Sequence, residues 1–229
     1  MWPHQSRSYG TKAVLVQRFA VVLLLTFACV TGVVAAPASD QPVKIVVLGD
    51  SLSAGFGLPV EASFPSRLAV ALQAKGVAAT VANAGVSGDT ASGGLERLGW
   101  SVPEGTDAVI VELGANDALR GIDPKVTQSA LDKILRQLEE RHIAVLFAGM
   151  RAPRNMGTDY ARAFDAIYPA LASTHNVIFY PFILDGVAAD LKLNQRDGMH
   201  PNAAGVDVMV TRILPKVEEL IARVRASRG

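Results

Sequence analysis

Residue types that can together cleave an ester occur in two short segments of the chain. Ser51 lies in a glycine-rich stretch, residues 49–57, directly after an apolar run. Asp197 and His200 lie three residues apart in a later segment. A serine hydroxyl becomes a nucleophile when a neutral imidazole takes its proton and a carboxylate orients that imidazole. The three residues therefore indicate nucleophilic acyl transfer.

His200 is the histidine that is best placed to be the base. Of the four histidines, His4 belongs to the N-terminal segment. His142 and His175 each precede a predicted strand, where a cation at the end of a helix is the expected role. His200 follows the last predicted strand. Since ligands bind at the carboxyl ends of parallel strands, it is expected at the same edge as Ser51.

Two further turns follow strands of their own. Asn116, in Gly-Ala-Asn-Asp, could donate an amide N–H to a negatively charged oxygen, and Gly88, in Gly-Val-Ser-Gly-Asp-Thr, could bring its backbone N–H close to a ligand. Each has a simpler interpretation as a turn residue. Ser51 could likewise only cap a helix, and the Asp197 to His200 spacing alone is common in loops and caps. The four segments together favour a catalytic site.

Apolar runs alternate with amphipathic segments along the chain, which predicts an α/β fold with a parallel sheet covered by helices on both faces. Trp100 and three phenylalanines, Phe64, Phe164 and Phe179, are expected in the core. The predicted strands are 43–48, 77–86, 108–113, 143–147 and 177–182. The predicted helices are 65–75, 91–98, 124–141, 158–174 and 203–226, the last with a kink at Pro215.

The four segments resemble the blocks of the SGNH, or GDSL-type, hydrolase family. They are GDSLSAGFG, GVSGDT, GAND and DGMHPN, and the likeness covers nearly all of residues 39–229. VELGANDALRG and RAPRNMGTDYARAFDAIYP extend it to the bacterial periplasmic thioesterase, lysophospholipase and arylesterase subgroup. The resemblance implies a flavodoxin-like three-layer α/β/α sandwich with a central parallel sheet. It also implies that no cofactor is needed.

The resemblance also implies a role for each matching residue. Ser51 would be the nucleophile, with Asp197 and His200 completing the triad. Gly88 and Asn116 would bind the oxyanion together with the Ser51 N–H. The chain departs from the family pattern at Ala115, where a second glycine is expected.

Two loops, 118–124 and 150–158, are expected to wall the substrate pocket. An apolar, adaptable lining suits an acyl chain or an aryl ester better than a sugar. The substrate is therefore expected to be a small acyl ester or thioester. The predicted lining residues are Leu119, Ile122, Met150, Pro153 and Met156.

The first 38 residues form a separate segment. They are basic at the start, apolar in the middle and end in Ala-Pro-Ala, which predicts a secretory signal that is cleaved after Ala35 or Ala38. We therefore expect one hydrolase domain, residues 39–229, that is exported to the periplasm or secreted, is monomeric and has no stable membrane span. The only cysteine, Cys29, lies within the signal, so the domain has no disulfide.

The remaining composition excludes several other classes. Lys and Arg number 22 and Asp and Glu 21, without a basic stripe that would bind nucleic acid. A metal hydrolase is disfavoured because the predicted edge has one histidine and no helix-spaced ligand pair. Two alternatives stay open: a carbohydrate O-acetylesterase on the same fold, and a non-catalytic periplasmic lipid-binding module.

Overall fold

A computed structural model describes residues 41–229. The predicted signal segment, residues 1–38, lies outside the described residues. Within them, five parallel strands form one sheet in the order β2-β1-β3-β4-β5, which is the flavodoxin-like order. The strands are β1 (Val43–Gly49), β2 (Ala79–Gly85), β3 (Ala108–Glu112), β4 (Ala144–Ala148) and β5 (Ile178–Tyr180).

Helices cover both faces of the sheet, which confirms the predicted fold class. Helices α2 and α9 pack against each other on one face, and α3, α6 and α8 pack together on the other. The helices are α1 (Ser51–Ala54), α2 (Phe64–Ala74), α3 (Ala91–Glu96), α4 (Leu98–Ser101), α5 (Ala115–Leu119), α6 (Pro124–Glu140), α7 (Thr158–Asp165), α8 (Ile167–Thr174) and α9 (Ala203–Arg228). In the part of the chain that the structure describes, no helix has the length and apolarity that a membrane crossing requires.

The core explains why the central strands read as continuous apolar runs. Every residue of β3 is buried, as are six of the seven residues of β1. Strand β2 differs: it is an edge strand, and Thr80, Ala82 and Asn83 are exposed. The central strands are buried on both faces, but β2 is not, because Thr80 and Ala82 point to the same face of the strand and both are exposed.

Two local predictions were wrong. The segment 158–174 is two helices instead of one, since Pro169 lacks the N–H that would bond the carbonyl of Asp165, the last residue of α7. Trp100 is 73% exposed, whereas Phe64 and Phe164 are fully buried. Trp100 lies in the four-residue helix α4, which is too short to bury two faces.

The register of the sheet aligns the strand ends that matter for the site. The last residue of each of three adjacent strands, β2, β1 and β3, lies in one row across the sheet. The turns that follow these strands therefore begin side by side. The aligned residues are Gly85, Gly49 and Glu112.

Candidate active site

Ser51 is the first residue of helix α1, directly after β1. The helix is capped by Asp50, whose Oδ1 accepts the Leu52 N–H at 3.0 Å. The interpretation of Ser51 as a cap residue is therefore wrong, because its neighbour has that role. The Ser51 hydroxyl is left to bond elsewhere.

The Ser51 hydroxyl lies 3.0 Å from Nε2 of His200, across 149 residues of sequence. Nδ1 of His200 lies 2.7 Å from Oδ2 of Asp197. An ionised carboxylate can only accept, so the His200 proton lies on Nδ1 and Nε2 is the acceptor that faces the serine. This tautomer is the one that a general base requires.

Asp197 is held as an anion by its own loop. Its Oδ1 accepts the backbone N–H groups of Met199 at 2.9 Å and His200 at 3.0 Å. The Met199 N–H bond, followed by the bonds to His200, lowers the pKa of Asp197 to about 2. Asp197 is therefore negatively charged at neutral pH.

A phenylalanine that the sequence analysis did not single out lies against the imidazole. The ring centroids of Phe56 and His200 are 4.5 Å apart, with 34° between the ring planes. Phe56 is 49% exposed, so its ring covers one side of the base and also faces solvent. An aromatic residue inside a glycine-rich turn was the signal that could have identified it.

Two backbone N–H groups near the serine have no acceptor within residues 41–229. They belong to Ser51 and Gly88, and Gly88 has a φ of +84°, which glycine adopts without strain. The Gly88 turn is held by its neighbour Asp89, whose carboxylate accepts Nε of Arg97 at 2.7 Å. Arg97 also donates to the Gly49 carbonyl at 2.8 Å, so the partly buried ion pair ties the glycine turn to the end of β1.

Asn116 lies between the two turns. Its Nδ2 donates to Asp50 Oδ2 at 3.2 Å and to the Asp89 carbonyl at 3.0 Å. The amide is thus fixed at the position where the turns after β1, β2 and β3 meet. Ala115, the departure from the family pattern, is the first residue of α5, where alanine is well accommodated.

Two carboxyl groups are buried beneath the serine turn. Oε2 of Glu112 accepts the Ser53 hydroxyl at 2.7 Å and the Asp50 N–H at 3.3 Å, while Oε1 has no partner among the described residues. Burial raises the pKa of Asp50 to about 6. Burial, and the nearby Asp50, raise the pKa of Glu112 well above its usual value. Burial therefore favours the protonated form of Glu112, whose Oε2 anchors the turn through two hydrogen bonds.

The two loops expected to wall the pocket do meet, since Met156 Cε lies beside Gly121. Tyr160, on helix α7 just after the second loop, donates its hydroxyl to the Ile122 carbonyl at 2.9 Å. Of the predicted lining residues, Leu119 is 49% exposed and Met150 is 4% exposed, within the core cluster. Three others, Ile122, Pro153 and Met156, are half-buried. Their role in binding substrate stays a prediction.

The remaining histidines of the described chain lie at the opposite edge of the sheet. His142 precedes β4, and His175 follows α8 and precedes β5. His175 is buried, with Nε2 2.9 Å from Oδ1 of Asp132 on helix α6. Neither histidine is placed near Ser51.

Comparison with known proteins identifies the family. The profile of the GDSL-like Lipase/Acylhydrolase family matches residues 47–208, which span the Ser51 turn, the Gly88 and Asn116 turns and the His200 loop. The chain belongs to this family. The resemblance to SGNH hydrolases is thereby confirmed, and so is the expected class of activity, the hydrolysis of carboxylic esters.

Similar sequences and structures within the GDSL-like family carry names of the same kind. An arylesterase of Vibrio mimicus is 41% identical over 179 residues, which are 78% of this chain and 87% of that protein. Thioesterase 1/protease 1/lysophospholipase L1 of Escherichia coli is 38% identical over 185 residues, 80% of this chain and 83% of that protein.

Two solved structures of esterases from the same group superpose on the described fold. The crystal structure of TesA has a TM-score of 0.74 at 34% identity, covering 77% of this chain and 99% of that one. AlinE4, an SGNH-hydrolase family esterase, has a TM-score of 0.67 at 42% identity, covering 78% of this chain and 96% of that one.

Proposed function

We propose that Ser51, His200 and Asp197 form the catalytic triad of this esterase. The observation that carries the proposal is the continuous chain of contacts from the Ser51 hydroxyl to His200 at 3.0 Å and onward to Asp197 at 2.7 Å. The charge on Asp197 favours the imidazolium that forms when His200 takes the serine proton. This set of residue types is not required for binding alone, which disfavours a lipid-binding module.

The reaction proceeds through an acyl-enzyme. His200 Nε2 takes the proton of Ser51 as Oγ attacks the carbonyl carbon of the ester, and the carbonyl oxygen becomes the oxyanion. His200 then gives that proton to the departing alcohol or thiol. Water attacks the acyl-enzyme in the same way, with His200 as base, and releases the acid.

The oxyanion is bound, in this proposal, by the N–H groups of Ser51 and Gly88 and by the Asn116 amide. The two backbone groups are supported as donors because no acceptor within the described chain occupies them. The Asn116 amide already has two acceptors, Asp50 Oδ2 and the Asp89 carbonyl. An oxyanion would compete with the neutral Asp89 carbonyl for one of its hydrogens, and a charged acceptor makes the stronger bond.

We infer that the substrates are acyl esters and thioesters, as in arylesterases, thioesterases and lysophospholipases. An exposed apolar residue lies within, or two residues after, each of the four site segments, which favours an acyl or aryl group over a sugar. The names of the relatives, arylesterase and thioesterase/lysophospholipase, agree with this choice. The exposed residues are Phe56, Val86, Leu119 and Met199.

We also propose that the enzyme is exported to the periplasm or secreted as a monomer of residues 39–229, after loss of a signal peptide. The basic, apolar and small-residue order of the first 38 residues supports this. Mass spectrometry of the protein from an expressing cell should give a mature N-terminus at Ala36 or Ser39. A retained Met1 would contradict the proposal.

A panel of acyl esters, aryl esters, acyl thioesters and acetylated sugars tests the function. The mature enzyme should hydrolyse the first three classes faster than the acetylated sugars, and Ser51→Ala should reduce turnover by about 10⁶-fold. A preference for acetylated sugars would favour the O-acetylesterase alternative. Failure of a fluorophosphonate to label Ser51 in the folded protein would favour the lipid-binding alternative.

A further inference from the structure

One side chain joins the loop of the proposed base to the turn of the proposed nucleophile. Nε2 of Gln195 donates to the Phe56 carbonyl at 2.7 Å and to the Pro201 carbonyl at 3.0 Å. Phe56 lies five residues after Ser51, and Pro201 directly follows His200. Both hydrogens of the Gln195 amide are therefore used to connect the neighbours of the two reacting residues.

The backbone of Gln195 is paired with His200 itself. The Gln195 N–H donates to the His200 carbonyl at 2.7 Å, and the Gln195 carbonyl accepts the Gly198 N–H at 3.0 Å. An antiparallel bridge between Asn194 and Pro201 closes the loop. The loop that carries the base thus has Gln195 at its centre, bonded through both backbone and side chain.

Phe56 transmits this restraint to the imidazole. Its ring lies against His200, its carbonyl accepts from Gln195, and its N–H donates to the Ser51 carbonyl at 3.1 Å. The next residue, Gly57, has no Cβ, and a Cβ there would overlap Oε1 of Gln195. The close approach of Gln195 to the serine turn therefore depends on a glycine at that position.

Only two hydrogen bonds connect segment 50–58 with segment 195–201 among the described residues. One is the His200 to Ser51 bond and the other is the Gln195 to Phe56 bond. The first is rearranged in every catalytic cycle, because the proton it contains moves to His200. The second contains no reacting atom and persists while His200 is an imidazolium.

We propose that Gln195 is a positioning residue that holds His200 within reach of Ser51 and of the leaving group throughout the cycle. This inference rests on the proposed function of Ser51 and His200. Gln195 touches no reacting atom and acts through Phe56 and the His200 loop. Its loss should affect the rate of proton transfer more than the binding of substrate.

The test substitutes Gln195→Met, which keeps the length of the side chain and removes both N–H donors. A displacement of about 1 Å in a catalytic group costs up to about 10²-fold, so we expect kcat to fall about 10- to 100-fold with KM changed less than about twofold. The matched control is Gln73→Met, since Gln73 is exposed on α2 and its side chain makes no hydrogen bond within residues 41–229. The control should keep wild-type kcat and KM.

A second measurement separates positioning from folding. The rate at which a fluorophosphonate forms a P–O bond at Ser51 and releases fluoride depends on His200 as base and on no bound substrate. It should fall in Gln195→Met by the same factor as kcat, at a temperature where circular dichroism shows both proteins folded. Gln195→Glu, which places an acceptor against two carbonyl oxygens, should lower the labelling rate at least as much.

The outcomes separate this proposal from the function on which it rests. Wild-type labelling rates in a folded Gln195→Met protein would overturn the positioning role alone, as would a rise in KM with kcat unchanged. A lower melting temperature with normal kcat below it would also overturn it, since the role would then be only structural. A Ser51→Ala protein that still hydrolyses esters would overturn the proposed function and this inference together.

Discussion

The carboxyl groups near Ser51 lie in two contrasting regions. Asp197, on the His200 loop, has a side chain that is 35% exposed and accepts two backbone N–H groups, and its pKa is lowered to about 2. Asp50 and Glu112, beneath the serine turn, are 0% and 1% exposed, and burial raises their pKa values. The charged form of the carboxyl group is thus favoured in Asp197 and disfavoured in Asp50 and Glu112.

The difference shows how the fold assigns roles to chemically similar residues. A carboxylate that must support a developing imidazolium is placed where water and backbone donors stabilise its charge. A carboxyl that stabilises a turn through hydrogen bonds is instead buried, where its charged form is disfavoured. Four predictions sharpen the contrast, beginning with the largest effect.

Asp197→Asn should lower kcat by about 10⁴-fold, because the amide favours the wrong tautomer of His200. The protein should still fold, since the amide oxygen can accept the Met199 and His200 N–H groups in place of the carboxylate. Steady-state kinetics with an aryl ester measure the effect, with Asp159→Asn, at an exposed position on α7, as the control. Activity within tenfold of wild type would show that the anion on the His200 loop is not needed.

Asn116→Ala should lower kcat by about 10²–10³-fold through loss of one oxyanion donor. It also removes the hydrogen bond that Asp50 Oδ2 accepts from Asn116. The substitution therefore also tests whether this contact to the buried Asp50 matters for turnover. Comparison of kcat with KM separates the two effects, since an oxyanion donor acts on the transition state and leaves KM nearly unchanged. Near-normal turnover would contradict the assignment of Asn116.

Glu112→Leu should reduce the free energy of unfolding by about 2–4 kcal/mol, because the Asp50 N–H and the Ser53 hydroxyl lose their shared acceptor. Glu112→Gln should cost less than Glu112→Leu, since the amide oxygen can keep both hydrogen bonds. Urea denaturation at neutral pH compares the pair. Equal destabilisation of both variants would contradict the role of Glu112 as the shared hydrogen-bond acceptor.

The smallest effect concerns Asp50 and pH. Its pKa is about 6 in the fold against a usual value of 3.8, so the folded state retains a proton that the unfolded state releases. Stability from this group is fully present below about pH 4 and is lost as pH rises towards 6, by less than about 1.4 kcal/mol per pH unit.

Asp50→Asn should flatten that slope between pH 4 and pH 6. The comparison is made above pH 4 because Asp197 contributes the opposite slope, losing stability as pH falls towards its own pKa of about 2. Urea unfolding at several pH values measures both proteins. A slope that is identical in the two proteins would show that Asp50 does not titrate there.

The fold and the proposed triad could be predicted because they depend on strong local signals. Continuous apolar runs identified the central strands, and the rule that ligands bind at strand carboxyl ends separated His200 from His142 and His175. These signals can be recognised in a single sequence because buried strands require apolar residues and because the site residues directly follow the strands.

The supporting contacts could not be predicted for a physical reason. Gln195 and Phe56 act through backbone carbonyls and ring packing between segments 139 residues apart, and neither requires a recognisable spacing. The exposure of Trp100 and of β2 depends on which helices and strands pack against them, and local sequence patterns do not show that tertiary packing. Pro169 was a sequence signal for the break between α7 and α8, but the amphipathic pattern on both sides of it favoured a single helix.

Asp197 and His200 lie on one loop, and their contacts span three residues. Closing so short a loop costs little entropy. The serine must join it across 149 residues, and closing so long a loop costs more entropy. A chain in which the two segments have not met lacks the complete triad, so ester hydrolysis reports on the assembly of the domain.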